Sequence, residues 1–340
     1  MKAIVLKGPN DFSLQSVEEP TPGPDEVEIR VRFVGICGTD LLLLRGGNPF
    51  VPYPIVPGHE SMGEVLRAPA DSTLKEGDRV TVFPAYGCGK CDACKAGRIP
   101  HCPEARTEGV LRPRGYFAER IVAHHQRVFT LPASIEDEVG AMVEPTAVAV
   151  HANRRAGLDR GARVVVIGGG TIGLLAAQVA KAYGASQVVL SEPISERRAL
   201  ARRLGIDQVC NPLETDPISF VRRTGDGVDG VLDVVGTQET LAASEEMLRP
   251  DGRLVLVAMP HQPTLAIPYQ GVFSKELNVV GSRTYFVEDF PEAIRLLETG
   301  QVEAKPLIGA VLPMERFTEA VELLEKHPER YVKILISPLM

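Results

Sequence analysis

Four cysteines crowd one short stretch of this 340-residue chain. Cys88, Cys91, Cys94 and Cys102 stand in a loop rich in glycine and lysine. The Cys-x-x-Cys spacing lets two thiolates grip one ion, and the remaining pair closes a tetrahedron with no position left for a substrate. The pattern reads as a structural zinc site. An iron–sulfur cluster or two disulfides are the alternatives. Neither ferredoxin spacing is matched, and no apolar leader directs the chain to an oxidising compartment. Lys90 and Lys95 soften the charge of a tetrathiolate. Upstream, Cys37 follows a strand-like run, and a proline-broken loop delivers His59 and Glu60 side by side. One thiolate, one imidazole and one carboxylate with an open fourth position form the pattern of catalytic zinc. These residues are far apart in sequence, so spacing alone does not assemble them. Glu144 interrupts an apolar segment just before Pro145, either exposed at a kink or drawn to a metal or cofactor.

A second chemistry is written in residues 162–192, ARVVVIGGGTIGLLAAQVAKAYGASQVVLSE. The β-branched run 164–167 enters a G-x-G-x-x-G turn made by Gly168, Gly170, Thr171, Ile172 and Gly173. A helix is expected over 174–183 and a strand over 188–190, ending in Glu192 about 20 residues after the turn. The first glycine makes the tight turn, the second admits a pyrophosphate, and the third lets helix pack on strand. The helix N-terminus offers free N–H groups and a positive dipole end to phosphates. A carboxylate at Glu192 binds ribose hydroxyls and repels a 2′-phosphate, which favours NAD. Arg197 and Arg198 lie in the next helix and read as solvated surface residues.

The elements that must position these groups follow from periodicity. Residues 3–6, 12–17 and 26–33 read as strands, the last with strict apolar–charged alternation. Residues 61–66, 115–122 and 128–131 continue the β-rich character. Helical periodicity begins after Ser134, which with Asp137 resembles a capping signal. From residue 153 strands and helices alternate, as in a parallel sheet covered on both faces. Helices are expected at 289–299 and 315–326 and strands near 308–312 and 332–336. That tail either extends the second sheet or returns to the first domain. Three regions result: 1–152, with a metal lobe at about 86–105; 153–285; and 286–340. The hydrophobic fraction of 44%, charged fraction of 24% and net charge of −7 describe a globular protein and favour neither nucleic acid nor an acidic membrane as partner. With no signal-type or membrane-length apolar run, the expectation is a cytoplasmic protein.

Taken together, GICGTD at 35–40, Gly58-His59-Glu60, the cysteine cluster, Glu144-Pro145 and the glycine turn resemble the zinc-containing medium-chain dehydrogenase/reductase family over essentially the whole chain. The likeness is closest to its sorbitol, threonine and butanediol dehydrogenase branch, with bacterial polyol and sugar-acid enzymes most similar. The resemblance implies an α/β protein: a GroES-like β-rich catalytic domain, built from both ends of the chain, plus a Rossmann doubly wound parallel sheet. It implies two zinc ions per chain, NAD, a small-molecule alcohol substrate and a homodimer or homotetramer. By this likeness Cys37, His59, Glu60 and Glu144 serve the catalytic zinc, with Glu60 a third ligand or a carboxylate that swings on and off. Cys88, Cys91, Cys94 and Cys102 hold the structural one. Asp40 orients His59, and Thr39 matches the hydroxyl that contacts the alcohol. Arg283 could meet a polyol hydroxyl or a carboxylate. Many relatives carry a proton-relay histidine where this chain has Leu42, which puts the relay in question but not the hydride transfer. The implied reaction is oxidation of a secondary alcohol by NAD. The alternatives are an NAD-binding regulatory protein of the same fold, or an L-threonine or butanediol dehydrogenase.

Overall fold

The computed structural model describes residues 1–206, 208–259, 262 and 264–340. They form two compact units. One comprises Met1–Glu144, Phe286–Glu298 and Ala304–Met340; the other comprises Pro145–Tyr285 and Thr299–Glu303. The division falls inside helix Val143–Ala156, just after Glu144.

The first unit is built on strand Glu26–Gly35, whose alternating apolar residues Val27, Ile29 and Val31 are all buried. This strand pairs antiparallel with Glu60–Arg67, Arg120–His124 and Lys333–Ser337. Lys333–Ser337 in turn lies parallel to Ile308–Pro313, so the tail of the chain returns to the sheet built by its beginning. Helix Phe317–Lys326 seats Phe317 against Phe117, ring centroids 4.9 Å apart, and Ala320 and Val321 complete this face of the core.

The second unit is a six-stranded parallel sheet in the order Gln208–Cys210, Gln187–Ser191, Arg163–Ile167, Val228–Asp233, Leu248–Leu256, Asn278–Gly281. Chain order reverses beside Arg163–Ile167, the arrangement of a doubly wound dinucleotide fold with its ligand crevice at the strand ends. Val165, Val231 and Leu254 are buried in the central strands, as a sheet covered on both faces requires.

Local expectations shift in two places. Helix Asp137–Gly140 is capped at Glu136 without a side-chain hydrogen bond, not at Ser134, and a separate helix starts at Val143. Of the expected strand at 115–122, only Arg120–His124 is regular. Residues 115–118 instead bond to the loop before His59 and to the first strand: Tyr116 N–H donates to the Gly58 carbonyl and Ile4 N–H to the Phe117 carbonyl. Among the described residues, no helix is long and apolar enough to cross a membrane.

Candidate active site and metal centres

Strand Glu26–Gly35 runs directly into Ile36 and Cys37, and the short helix Gly38–Leu44 follows at once. Cys37 is its N-cap: Sγ accepts from Thr39 N–H at 3.4 Å, while Asp40 Oδ2 accepts from Cys37 N–H at 2.9 Å. This reciprocal cap fixes the thiol's direction. Asp40 is wholly buried, and its Oδ1 accepts from Gly58 N–H at 3.1 Å. That bond ties the second loop to the first and delivers His59 to Cys37. Gly58 has φ +94°, and a Cβ there would lie 2.8 Å from the Phe117 ring, so the loop requires glycine. Glu60 then opens strand Glu60–Arg67 directly opposite Gly35. A Cβ on Gly35 would fall 2.0 Å from Glu60 Oε2, so glycine makes room for the carboxylate.

The result is a thiol, an imidazole and a carboxylate whose ligand atoms lie within 4.8 Å of one another. His59 and Glu60 are buried. His59 Nδ1 sits 3.6 Å from Asp40 Oδ1, an ion-pair distance too long for a hydrogen bond. Burial alone would lower the imidazole pKa, but the Asp40 carboxylate and Cys37 outweigh it and hold it well above the ordinary value. The mix of sulfur, nitrogen and oxygen donors suits zinc. Thr39 is partly exposed at the start of the same helix. Leu42, on that helix, lies over Gly47, where a Cβ would come 2.3 Å from its Cδ1.

Sequence reasoning missed one member of this cluster. Lys333, only 2% exposed, donates to both Glu60 oxygens at 2.8 and 2.7 Å and to the Ile36 carbonyl at 2.9 Å. Burial disfavours its charge, yet Glu60, Cys37 and Glu144 raise its pKa above the ordinary value. Glu144 is buried in the first turn of its helix and acts on Lys333 through its charge; it does not join the compact group of Cys37, His59 and Glu60.

The four cysteines form a second group within the same 4.8 Å limit. All are free thiols. Backbone N–H groups point at their sulfurs: Cys88 and Glu104 donate to Cys102 Sγ at 3.3 and 3.4 Å, and Cys91 to Cys88 Sγ at 3.4 Å. Donation from the backbone of Lys90 and Cys91 draws the Cys88 thiol down to about 6, whereas desolvation pushes Cys94 up to about 12. Four adjoining thiols cannot all ionise without a cation, and with one they can. Gly87 closes the cradle, since a Cβ there would lie 2.4 Å from Cys94 Sγ.

In the second unit the glycine turn has the form its spacing predicts. Gly168 takes φ +99°, and a Cβ on Gly173 would lie 1.8 Å from the Gly168 carbonyl oxygen. Gly170 caps helix Thr171–Ala182, so Thr171 and Ile172 form its first turn. A Cβ on Gly170 would meet nothing within 4 Å, which leaves open space before the helix N-terminus. That space and those N–H groups fit a pyrophosphate. Glu192 is buried, and its carboxylate accepts from Gly169 N–H at 2.6 Å and Ile194 N–H at 2.8 Å. Arg198 donates to the Glu192 and Pro193 carbonyls, so it is spent on the backbone. Arg283 is exposed beyond the last strand of this sheet.

Two family descriptions match the chain: an alcohol dehydrogenase GroES-like domain over residues 23–133 and a zinc-binding dehydrogenase over 171–299. The sorbitol dehydrogenase of Halalkalibacterium halodurans is 33% identical, with 100% of each chain covered. The L-galactonate-5-dehydrogenase of Escherichia coli is 33% identical, covering 95% of this chain and 94% of its own. The solved structure of an E. coli alcohol dehydrogenase, RspB, complexed with NADH superposes with a TM-score of 0.93 at 29% identity over 99% of both chains. The chain therefore belongs to the zinc-containing medium-chain dehydrogenase/reductase family, in its sorbitol and polyol branch.

Proposed function

We propose that this protein is a zinc-dependent dehydrogenase that oxidises a secondary alcohol of a polyol or sugar acid with NAD. The observation that carries the reading is the convergence of half-buried Cys37 with buried His59 and Glu60. The relatives' activities on sorbitol and L-galactonate supply the substrate class. Cys37 and His59 would hold the catalytic zinc, with the carboxylates of Glu60 and Glu144 at hand. Cys88, Cys91, Cys94 and Cys102 would hold a structural one. When bound, zinc supplies Lewis acidity toward an alcohol oxygen, and NAD accepts the hydride.

The chain's own groups do the rest. Asp40 fixes the Cys37 cap and the His59 loop together, so both ligands are placed before any metal arrives. Thr39 takes the alcohol proton and releases its own to water, because Leu42 offers no acceptor. The turn from Gly168 to Gly173 seats the pyrophosphate, and Glu192 takes the ribose hydroxyls and rejects a 2′-phosphate. The protein is further proposed to be a homo-oligomer. Among the described residues, strand Asn278–Gly281 is an edge of its sheet, and the Tyr269 and Phe273 rings of the preceding helix are 77% and 73% exposed.

Metal analysis tests the reading. The purified chain should carry two zinc ions, and H59A should keep one. A single ion in the unsubstituted protein, insensitive to H59A, would refute it.

A further inference from the structure

Glu108 Oε2 and Tyr116 Oη are buried with no hydrogen-bond partner among the described residues. Buried polar atoms left unpaired are uncommon and call for a reason. Burial, with Tyr86 and Glu108 close by, holds the Tyr116 phenol well above its ordinary pKa. The group centres on Tyr86. The guanidinium carbons of Arg112 and Arg127 stand 4.1 and 3.9 Å from its ring centroid. Arg112 Nε also donates to Glu108 Oε1 at 2.7 Å.

This cage stands at a junction. Tyr86 pairs with Arg106 in the short neck from which the four-cysteine lobe hangs, and Arg127 donates to the Ala85 carbonyl in the same neck. The lobe begins at Gly87, where a Cβ would lie 2.4 Å from Cys94 Sγ. Beyond the neck, Glu108 N–H donates to the Pro84 carbonyl and Gly109 N–H to the Arg112 carbonyl, both at 3.0 Å. Arg112 closes a tight turn around Gly109, and that turn abuts the loop delivering His59. Gly109 takes φ +70°, and a Cβ on it would fall 2.2 Å from the Gly58 carbonyl oxygen. The same carbonyl accepts from Tyr116 N–H at 3.0 Å. Packed backbone therefore runs from the neck to the residue before His59.

We propose that Tyr86 is a positioning residue: stacked on Arg112 and Arg127, it couples the four-cysteine lobe to the His59 loop, so that a metal held by the lobe strengthens the active site's grip on its own. The inference rests on the reading of both clusters as metal sites. Two guanidiniums held to one ring repel each other, and the ring's π-electrons offset that repulsion. Without the ring, Arg112, whose side chain is 43% exposed, turns to solvent. The buried Glu108 carboxylate then loses a charged hydrogen bond, and the Gly109 turn loses its anchor. An empty lobe acts from the other end, because it no longer fixes Gly87 and releases Tyr86 with it. Either way, the change reaches His59 through the Gly58 carbonyl.

Zinc affinity at each site, measured on the purified protein by competition with a chelator, provides the test. H59A, which keeps only the four-cysteine ion, shows which ion is which. Y86L should weaken the active-site ion about tenfold, the scale of a lost supporting contact, while the four-cysteine ion stays bound. Y86F, which keeps the ring, should match the unsubstituted chain. C94S, which empties the lobe, should weaken the active-site ion by a similar factor. C94S and Y86L together should weaken it no further, because both act through one route. R112M should repeat the Y86L result and decides the matter where Y86L folds poorly. Unchanged active-site affinity in R112M or in C94S would overturn the proposal. So would losses that multiply in the double variant, or a loss in Y86F equal to that in Y86L. Two bound ions that are both insensitive to H59A would overturn the active-site reading itself, and the proposal with it.

Discussion

The glycine turn allows a prediction in which two neighbouring substitutions part company. In G173A the new Cβ would sit 1.8 Å from the Gly168 carbonyl oxygen and 3.2 Å from Val234 Cγ2. A relaxed carbon–oxygen contact needs about 3.3 Å, so the helix and the turn must separate by about 1.5 Å. Neither atom at the clash is a flexible side-chain end, since the oxygen belongs to a backbone held at φ +99°. Overpacking of this kind costs about 1–3 kcal/mol, against at most about 1 kcal/mol gained by replacing glycine in a helix. A contact this short belongs at the upper end of that range, so a net loss of about 2 kcal/mol should lower the melting temperature by roughly 4–8 °C for a unit of this size. The displaced helix N-terminus should weaken NADH by about tenfold to a hundredfold. In G170A the Cβ meets nothing within 4 Å and the backbone sits at φ −73°. Melting temperature should stay put, while the methyl intrudes on the space assigned to the pyrophosphate and NADH binding drops by a similar factor. Thermal melts and NADH fluorescence titrations on both variants check this. An unshifted melt in G173A would refute the packing argument, and full-strength NADH binding by G170A would refute the assignment of that space.

Further outcomes follow from the same geometry. E192Q removes the charge that Gly169 and Ile194 N–H groups hold. Charged hydrogen bonds contribute about 1.5–3 kcal/mol, so preference for NADH over NADPH should drop about tenfold or more in paired titrations. C94S should remove one metal ion per chain and destabilise the protein on the order of 4 kcal/mol, the scale of a lost metal site, read by metal analysis and thermal melts. The His59 pKa stands well above its ordinary value in the metal-free chain. The proton's stabilising contribution is therefore full below the ordinary imidazole value and is lost as pH rises through the higher folded one. A metal must displace that proton, so affinity at this site should climb with pH through the neutral range and then level off. Metal-buffered titrations at several pH values measure it, and a flat profile would count against the Asp40–His59 coupling.

How much of this was legible depends on how local each feature is. The glycine turn and the four-cysteine loop declare themselves because their geometry is set within a dozen or so residues, and both have the form their spacing predicts. Cys37, His59 and Glu60 could be nominated by type but not assembled from spacing. What joins them is Asp40, whose carboxylate bonds both Cys37 and Gly58. Lys333 gave no signal, because a lysine at the start of a short apolar strand reads as a wet edge. Only the pairing of Lys333–Ser337 with the sheet brings it to Ile36 and Glu60. The return of the tail was likewise open, since periodicity predicts strands but not their partners. The capping signal at Ser134 was overridden, and the helix starts later, after Glu136.

The most direct test of the central claim is NADH formation by the purified protein across a panel of polyols, sugar acids, butanediols and L-threonine, each with and without a strong chelator. Turnover should be confined to polyols or sugar acids, abolished by the chelator and restored by zinc. Turnover that survives complete removal of metal, or a panel without turnover in protein shown to hold both zinc and NAD, would contradict the central claim.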